Sequence, residues 1–283
     1  MFSIIIPTFN NLEYLKICIN SIKKNSTFDH QIILHINDGS DGSLDYVKEN
    51  NIEHTYSEKN IGLCSAANLA AKKATTDYII YSHDDMYFCP EWDEILLNEI
   101  NKTKTNLYYF SGTMIDPNGG HIKFDCGDKI ENFNEEKLLN NYKKLNYFDY
   151  QGSNWAPHLI RKEIWDEIGG FSEEFNPGFA SDPDLNMKLW NKGVRIFKGL
   201  SKLKVYHFGS ISLRKKKGLI RNKGSRQFLK KWGITVSFFK KYYLRSNTEY
   251  LNQLDEPNKN FYFYKDLLFC KIQKFFIFFL YRK

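Results

Sequence analysis

With 283 residues, 42% of them hydrophobic and 16% aromatic, the chain can bury a sizeable core, which argues against disorder. Its formal charge of +7 is local: residues 198–231 hold twelve Lys or Arg and no acid, leaving 28 of the 40 basic residues against 33 acidic ones elsewhere. That places an anion-seeking segment on a mildly acidic body. Five cysteines with no CxxC spacing argue against a disulfide framework or a zinc site.

Phe2–Ile6 is a continuous apolar run stopped by Pro7, which predicts a strand buried on both faces, as in a parallel sheet. Leu12, Leu15, Ile19 and Ile22 recur at helical spacing over 12–24. A second strand, Gln31–Ile36, ends in the turn sequence Asn-Asp-Gly-Ser-Asp-Gly. A helix over Ser43–Asn50, a strand over Glu53–Ser57, an Ala-rich helix over Ser65–Ala74 and a strand over Tyr78–Ser82 follow. This alternation predicts βαβ units and a mostly parallel α/β sheet. Asp116-Pro117-Asn118-Gly119-Gly120 reads as the turn of a hairpin, and the Asn- and Lys-rich stretch 131–147 as a surface insertion. A soft boundary at 213/214 separates a body, 1–213, from a basic, aromatic extension, 214–283.

In such a sheet ligands bind at the carboxyl ends of the strands. Three polar strand ends therefore define a candidate site: Pro7-Thr8-Phe9-Asn10, Asn37-Asp38-Gly39 and His83-Asp84-Asp85. Asp38, Asp84, Asp85, Asp182 and Asp184 each read alone as a solvated loop residue or a cap. Together they suit a hard divalent cation, which takes one or two carboxylates and fills its shell with phosphate and water. Trp155 is either a sugar-stacking platform or a core residue.

Seven segments, in order, resemble the family 2 glycosyltransferases of the GT-A (Rossmann-like) fold: residues 3–15, 37–43, 60–74, 78–85, 161–175, 181–190 and 205–209. The resemblance covers roughly 1–210. It implies an inverting transferase that moves a sugar from a nucleotide-diphosphate sugar, with uridine as the family-level expectation, to an acceptor hydroxyl. Polysaccharide, glycan or lipid-linked saccharide synthesis is the setting it implies. By that resemblance Pro7, Thr8 and Asn10 line the nucleoside pocket, Asp38 accepts from the base, and Asn68 lies near the sugar diphosphate. The metal motif falls on His83-Asp84-Asp85, with His83 in place of the first acid. Asp85 and the later His207 would hold Mn²⁺ or Mg²⁺, and Asp84 would contact the donor. Imidazole ligands tilt the choice toward Mn²⁺, whereas His207 on sequence grounds alone reads as a core or capping residue.

The family's Glu-Asp pair becomes Ser181-Asp182, which makes Asp182 the expected general base. Asp184 is the runner-up, or orients the acceptor beside Gly170 of the Gly169-Gly170-Phe171 turn. Ser181-Asp182-Pro183 also reads as an ordinary helix cap. The departures at 83 and 181 leave a rival reading, a non-catalytic saccharide- or nucleotide-binding scaffold.

The basic residues Arg214–Lys217, Arg221, Lys223 and Arg226 read as a lid over the diphosphate, as a seat for an anionic acceptor or leaflet, or as a solvated face. No nucleic-acid module accompanies them, so nucleic acid is not expected as a partner. Residues 267–283 mix Phe with Lys; they read as an interfacial helix on a membrane, or as a surface that packs on the domain or on a second subunit of a homo-oligomer. No stretch approaches the roughly 20 apolar residues of a spanning helix and the N-terminus lacks a signal peptide's basic region. A cytoplasmic protein, peripheral on the cytosolic membrane face at most, is expected.

Overall fold

The N-terminal apolar run forms β1 (Ser3–Phe9), buried along all but its last residue. The computed structural model describes residues 1–209 and 217–280. After β1 come α1 (Leu12–Asn25), β2 (Gln31–Asn37), α2 (Ser43–Glu49), β3 (Glu53–Ser57), α3 (Leu63–Ala71) and β4 (Tyr78–Tyr81). Next are β5 (Met86–Phe88), α4 (Trp92–Lys102), β6 (Tyr108–Asp116), β7 (Ile122–Lys123), α5 (Glu135–Asn141), β8 (Tyr150–Gln151) and β9 (His158–Arg161). The body closes with α6 (Lys162–Ile168), α7 (Ser181–Asn191) and β10 (Ile196–His207).

These strands form one sheet in the order β3-β2-β1-β4-β9-β6-β10-β5, with β7 on β6 and β8 on β10. β1 runs parallel to both β2 and β4, β2 to β3 and β6 to β10, while β9 and β5 enter antiparallel. Helices flank this mostly parallel sheet, the architecture of a GT-A domain.

Two local expectations are corrected. Pro7 does not stop β1, which continues in register with β2 through Pro7↔His35 to Phe9↔Asn37. Successive residues of a parallel strand bond to alternate neighbours, and Ile5 O accepts from Ser82 N on the β4 side. Pro7 faces the same side, where β4 has already ended at Tyr81, so its missing N–H breaks no ladder bond. The turn at Asp116–Gly120 is present but joins no hairpin: β6 and β7 pair in parallel, Ile115↔Ile122 and Asp116↔Lys123. Asp116 Oδ1 accepts from the amides of Asn118 and Gly119 at 2.7 and 3.0 Å, a turn the Asp side chain closes on itself. The insertion at 131–147 carries α5 and buries Leu138 and Tyr142 against Tyr206 and Phe208 in a second, smaller apolar cluster.

The boundary expected at 213/214 lies outside the described residues. Beyond it stand α8 (Lys217–Trp232), α9 (Val236–Phe238), which runs on into a π-helical turn at Phe239–Tyr243, and α10 (Phe261–Leu280). Phe228, Leu229, Phe238, Phe239, Leu244 and Phe263 join the same core as β1 and β4. The connecting strap is tied to the sheet as well: Gln151 N donates to Thr248 O and Leu254 N to Arg195 O. The extension therefore shares the body's core.

Candidate active site

Because β1, β2 and β4 are parallel, their carboxyl ends open on one edge of the sheet, on either side of the central strand. At the end of β1, Thr8 Oγ1 donates to Asp84 Oδ2 at 2.6 Å. Asn10 and Asp38 both adopt left-handed backbone, with φ of 45° and 66°, a conformation Asn and Asp tolerate better than most. The Asn10 amide clasps the next loop, accepting from Gly39 N and donating to Ser40 Oγ, both at 3.0 Å. The bond from Ser40 holds the Asp38 carboxyl below the usual carboxylate range, slight burial opposing it and Asn10 assisting. Asp41, unremarked in the sequence, accepts from Leu12 N at 2.7 Å and from Ser43. It thereby fixes the loop against the start of α1.

Antiparallel pairing of β5 with β10 sets Met86 opposite His207, and so brings the two distant metal candidates together. One ligand atom each from His83, Asp85 and His207 lies within 4.8 Å of the others. His207 is buried; its Nδ1 is 3.1 Å from Asp116 Oδ2 and its Nε2 is 3.5 Å from Asp85 Oδ2. Nε2 has no hydrogen-bond partner among the described residues. An imidazole held at one nitrogen by a carboxylate, its other nitrogen turned toward a second carboxylate, is the usual arrangement of a metal-ligating histidine. The donor set therefore fits a divalent cation.

Electrostatics agree with that fit. Burial would lower the His207 pKa, but the Asp85 and Asp116 carboxylates outweigh it and raise it to about 9. Burial lowers His83 to about 4, against the pull of Asp85, which leaves its imidazole neutral and able to ligate. Burial and the Asp85 charge push the Asp84 carboxyl up to about 7, while bonds from Thr8 and Asn11 oppose them. Asp116 was missed in the sequence; the only sign of it was its place at a strand end that opens a Pro-Asn-Gly turn.

Asp182 stands in the first turn of α7. The cap reading does not hold, because the residue before the helix is Ala180 at φ 65° and no side chain caps it. Asp182 Oδ1 is instead buried with no hydrogen-bond partner among the described residues. Burial raises its carboxyl to about 7, partly offset by Lys240. Burial and then the charges of Asp182, Asp84 and Asp85, together with Cys64, hold the Tyr81 phenol well above its ordinary range. Charges from both motifs therefore act on Tyr81, the last residue of β4.

Asp184, in the same turn, is engaged by α8. It is fully buried, and its Oδ1 accepts from Trp232 Nε1 at 2.7 Å and pairs with Lys231 at 2.9 Å. These bonds tie α7 to α8. Asn68 is engaged on both sides of its amide, accepting from Phe171 N at 2.9 Å and donating to Phe171 O at 2.8 Å. Gly170, at φ 55°, packs against it so closely that a Cβ would meet Asn68 Oδ1 at 2.4 Å. Trp155 is 44% exposed, with Lys240 Nζ 5.5 Å from its ring centroid. Lys240, also missed in the sequence, stands over the exposed indole, and its charge partly offsets the effect of burial on Asp182. Of the basic segment, Arg214–Lys216 lie outside the described residues, as do the side chains of Lys217 and Arg221.

Comparison with known proteins bears on this geometry. The family model described as glycosyl transferase family 2 matches residues 3–168. A hyaluronan synthase from Pasteurella multocida is 27% identical over 274 residues, covering 89% of this chain and 26% of that protein. The chain therefore spans about a quarter of that relative. Among solved structures, S. aureus TarS 1–349 in complex with UDP-GlcNAc superposes with a TM-score of 0.57 at 16% identity, covering 100% of this chain and 76% of that one. GalNAc-T7 with UDP, GalNAc and Mn²⁺ gives 0.56 at 17% identity, covering 73% and 43%.

Proposed function

The chain belongs to glycosyl transferase family 2, and on that premise we propose that it moves a sugar from a uridine-diphosphate sugar to a saccharide or lipid-linked hydroxyl, with inversion. The observation that carries the reading is the pairing of two unlike groups at one strand edge. One is a His83–Asp85–His207 cluster with an orphaned buried nitrogen. The other is Asp182, a carboxylate with one buried oxygen lacking a hydrogen-bond partner among the described residues and its pKa raised to about 7. The UDP-GlcNAc on TarS and the UDP and Mn²⁺ on GalNAc-T7 support the choice of donor and metal, and the hyaluronan synthase relative supports saccharide synthesis.

In this reading Pro7, Thr8 and Asn10 line the nucleoside pocket, and Asp38 accepts from the base. Asp84, held by Thr8, contacts the donor. Asn68 acts by positioning, since its amide fixes the Gly170–Phe171 turn that faces the acceptor. His83, Asp85 and His207 would hold a divalent cation, Mn²⁺ by ligand type, which when bound would supply Lewis-acid neutralisation of the leaving diphosphate. Asp182 takes the proton of the acceptor hydroxyl as that oxygen bonds to the anomeric carbon and the bond to the diphosphate oxygen breaks. A pKa near neutrality suits this task, because about half of the base is then charged at neutral pH while it remains basic enough to take the proton. Trp155 offers the acceptor sugar an aromatic face. Asp184 acts as the anchor of α8 and not as an acceptor contact. Residues 1–213 carry the chemistry, and the helices beyond complete it through Lys240. All five cysteines are free and buried, which suits a reducing, cytosolic setting.

Incubation with UDP-GlcNAc or UDP-GalNAc, Mn²⁺ and an oligosaccharide acceptor should release UDP and yield a β-linked product by proton NMR of the anomeric signal. An α-linked product would refute single displacement by Asp182.

A further inference from the structure

Helix α10 has two unlike faces. Phe263 and Cys270 turn inward and are buried, and Asp266 lies on their side, held by Lys241 and Tyr242 at 2.8 Å each. At 100° per residue, Phe261, Tyr264, Leu268, Ile272 and Phe275 fall on the opposite face. They are 42–76% exposed, and Phe269 and Phe276 widen the stripe at 54% and 55%. Exposed apolar stripes rimmed by polar residues mark sites of protein or membrane contact, and this one is built mainly of aromatic rings.

The charges around the stripe are of one sign. Lys265 and Lys271 are exposed beside it, and the one acid of the helix, Asp266, is neutralised on the far side. Residues 217–280 hold thirteen Lys or Arg against four Asp or Glu. Among the described residues no helix is long and apolar enough to cross a membrane.

We propose that this face of α10 lies on the surface of an anionic bilayer. Phe and Tyr rings would sit at the boundary between headgroups and acyl chains, and the lysines would extend to the phosphates. Two copies paired through the same face would bring two sets of lysines together with no acid on the face to balance them. An anionic leaflet supplies the missing charge. The proposal is independent of the reaction assigned above, since none of these residues belongs to the site.

Flotation of the full chain with vesicles of roughly two parts phosphatidylcholine to one of phosphatidylglycerol tests it. The wild type should float with these vesicles, do so less at high salt, and stay behind with phosphatidylcholine alone. Leu268→Glu/Phe275→Glu should lower the bound fraction at least about tenfold, with the thermal midpoint unchanged because both positions are exposed. Lys265→Glu/Lys271→Glu should lose the preference for anionic lipid. Wild type that ignores both kinds of vesicle overturns the proposal. If light scattering then shows a dimer that Leu268→Glu/Phe275→Glu splits, the face is a subunit interface instead.

Discussion

Replacing Asp182 by Asn should lower kcat by about 10²–10⁴-fold, the range that a positioned general base contributes. Donor affinity should stay within about twofold, because Asp182 holds no group of the nucleotide pocket. Asn keeps the volume and loses the proton acceptor. The pH dependence follows from the same burial. Asp182 acts in its charged form, and its carboxyl is raised to about 7, so kcat/KM should fall as pH drops below about 7. The stability effect has the opposite sense. Between the ordinary carboxylate value of 3.8 and about 7 the folded state keeps a proton that the unfolded state has lost. Stability contributed by this group therefore declines as pH rises through that window. Asp182→Asn should melt higher than the wild type above pH 7 while being nearly inactive. A variant that turns over normally would remove Asp182 from the chemistry.

Manganese affinity should collapse in Asp85→Ala and fall by about 10–100-fold in Asp116→Ala, the usual cost of removing a carboxylate that orients a ligating histidine. Asp85 and His207 face each other across 3.5 Å, while Asp116 touches only the far nitrogen. The two variants thus separate a ligand from its support. The sign of the pH effect is also set. With its pKa raised to about 9, His207 must shed a proton for Mn²⁺ to bind, so affinity should tighten as pH rises from 7 toward 9. Electron paramagnetic resonance of free Mn²⁺ reads both. Equal affinity in wild type and Asp85→Ala would move the metal elsewhere.

Much of the site's framework could be read from the chain, and for a local reason. β1 to β4 and the helices between them follow in sequence order, the central strands as short apolar runs and α1 with a 3.6 period, and parallel pairing puts the ends of β1, β2 and β4 on one edge. The rest depends on long-range pairing that no period encodes. β6 lies between β9 and β10, so nothing near residue 116 announces its bond to His207. Lys240 reaches the indole of Trp155 only because the C-terminal helices fold back on the body. Asp184 follows Asp182 in the same turn, and the chain alone does not tell the two carboxylates apart. A helix turns roughly 200° over two residues, and Asp184 instead meets Trp232.

The measurement closest to the central claim is calorimetry of UDP, dTDP and GDP, with and without Mn²⁺, on wild type and Asp85→Ala. The account predicts that UDP binds wild type in the presence of Mn²⁺, more weakly without it, and that Asp85→Ala loses the metal-dependent part. Failure of all three nucleotides to bind the wild type with Mn²⁺ present would contradict the transferase reading and leave a saccharide-binding scaffold with the same fold.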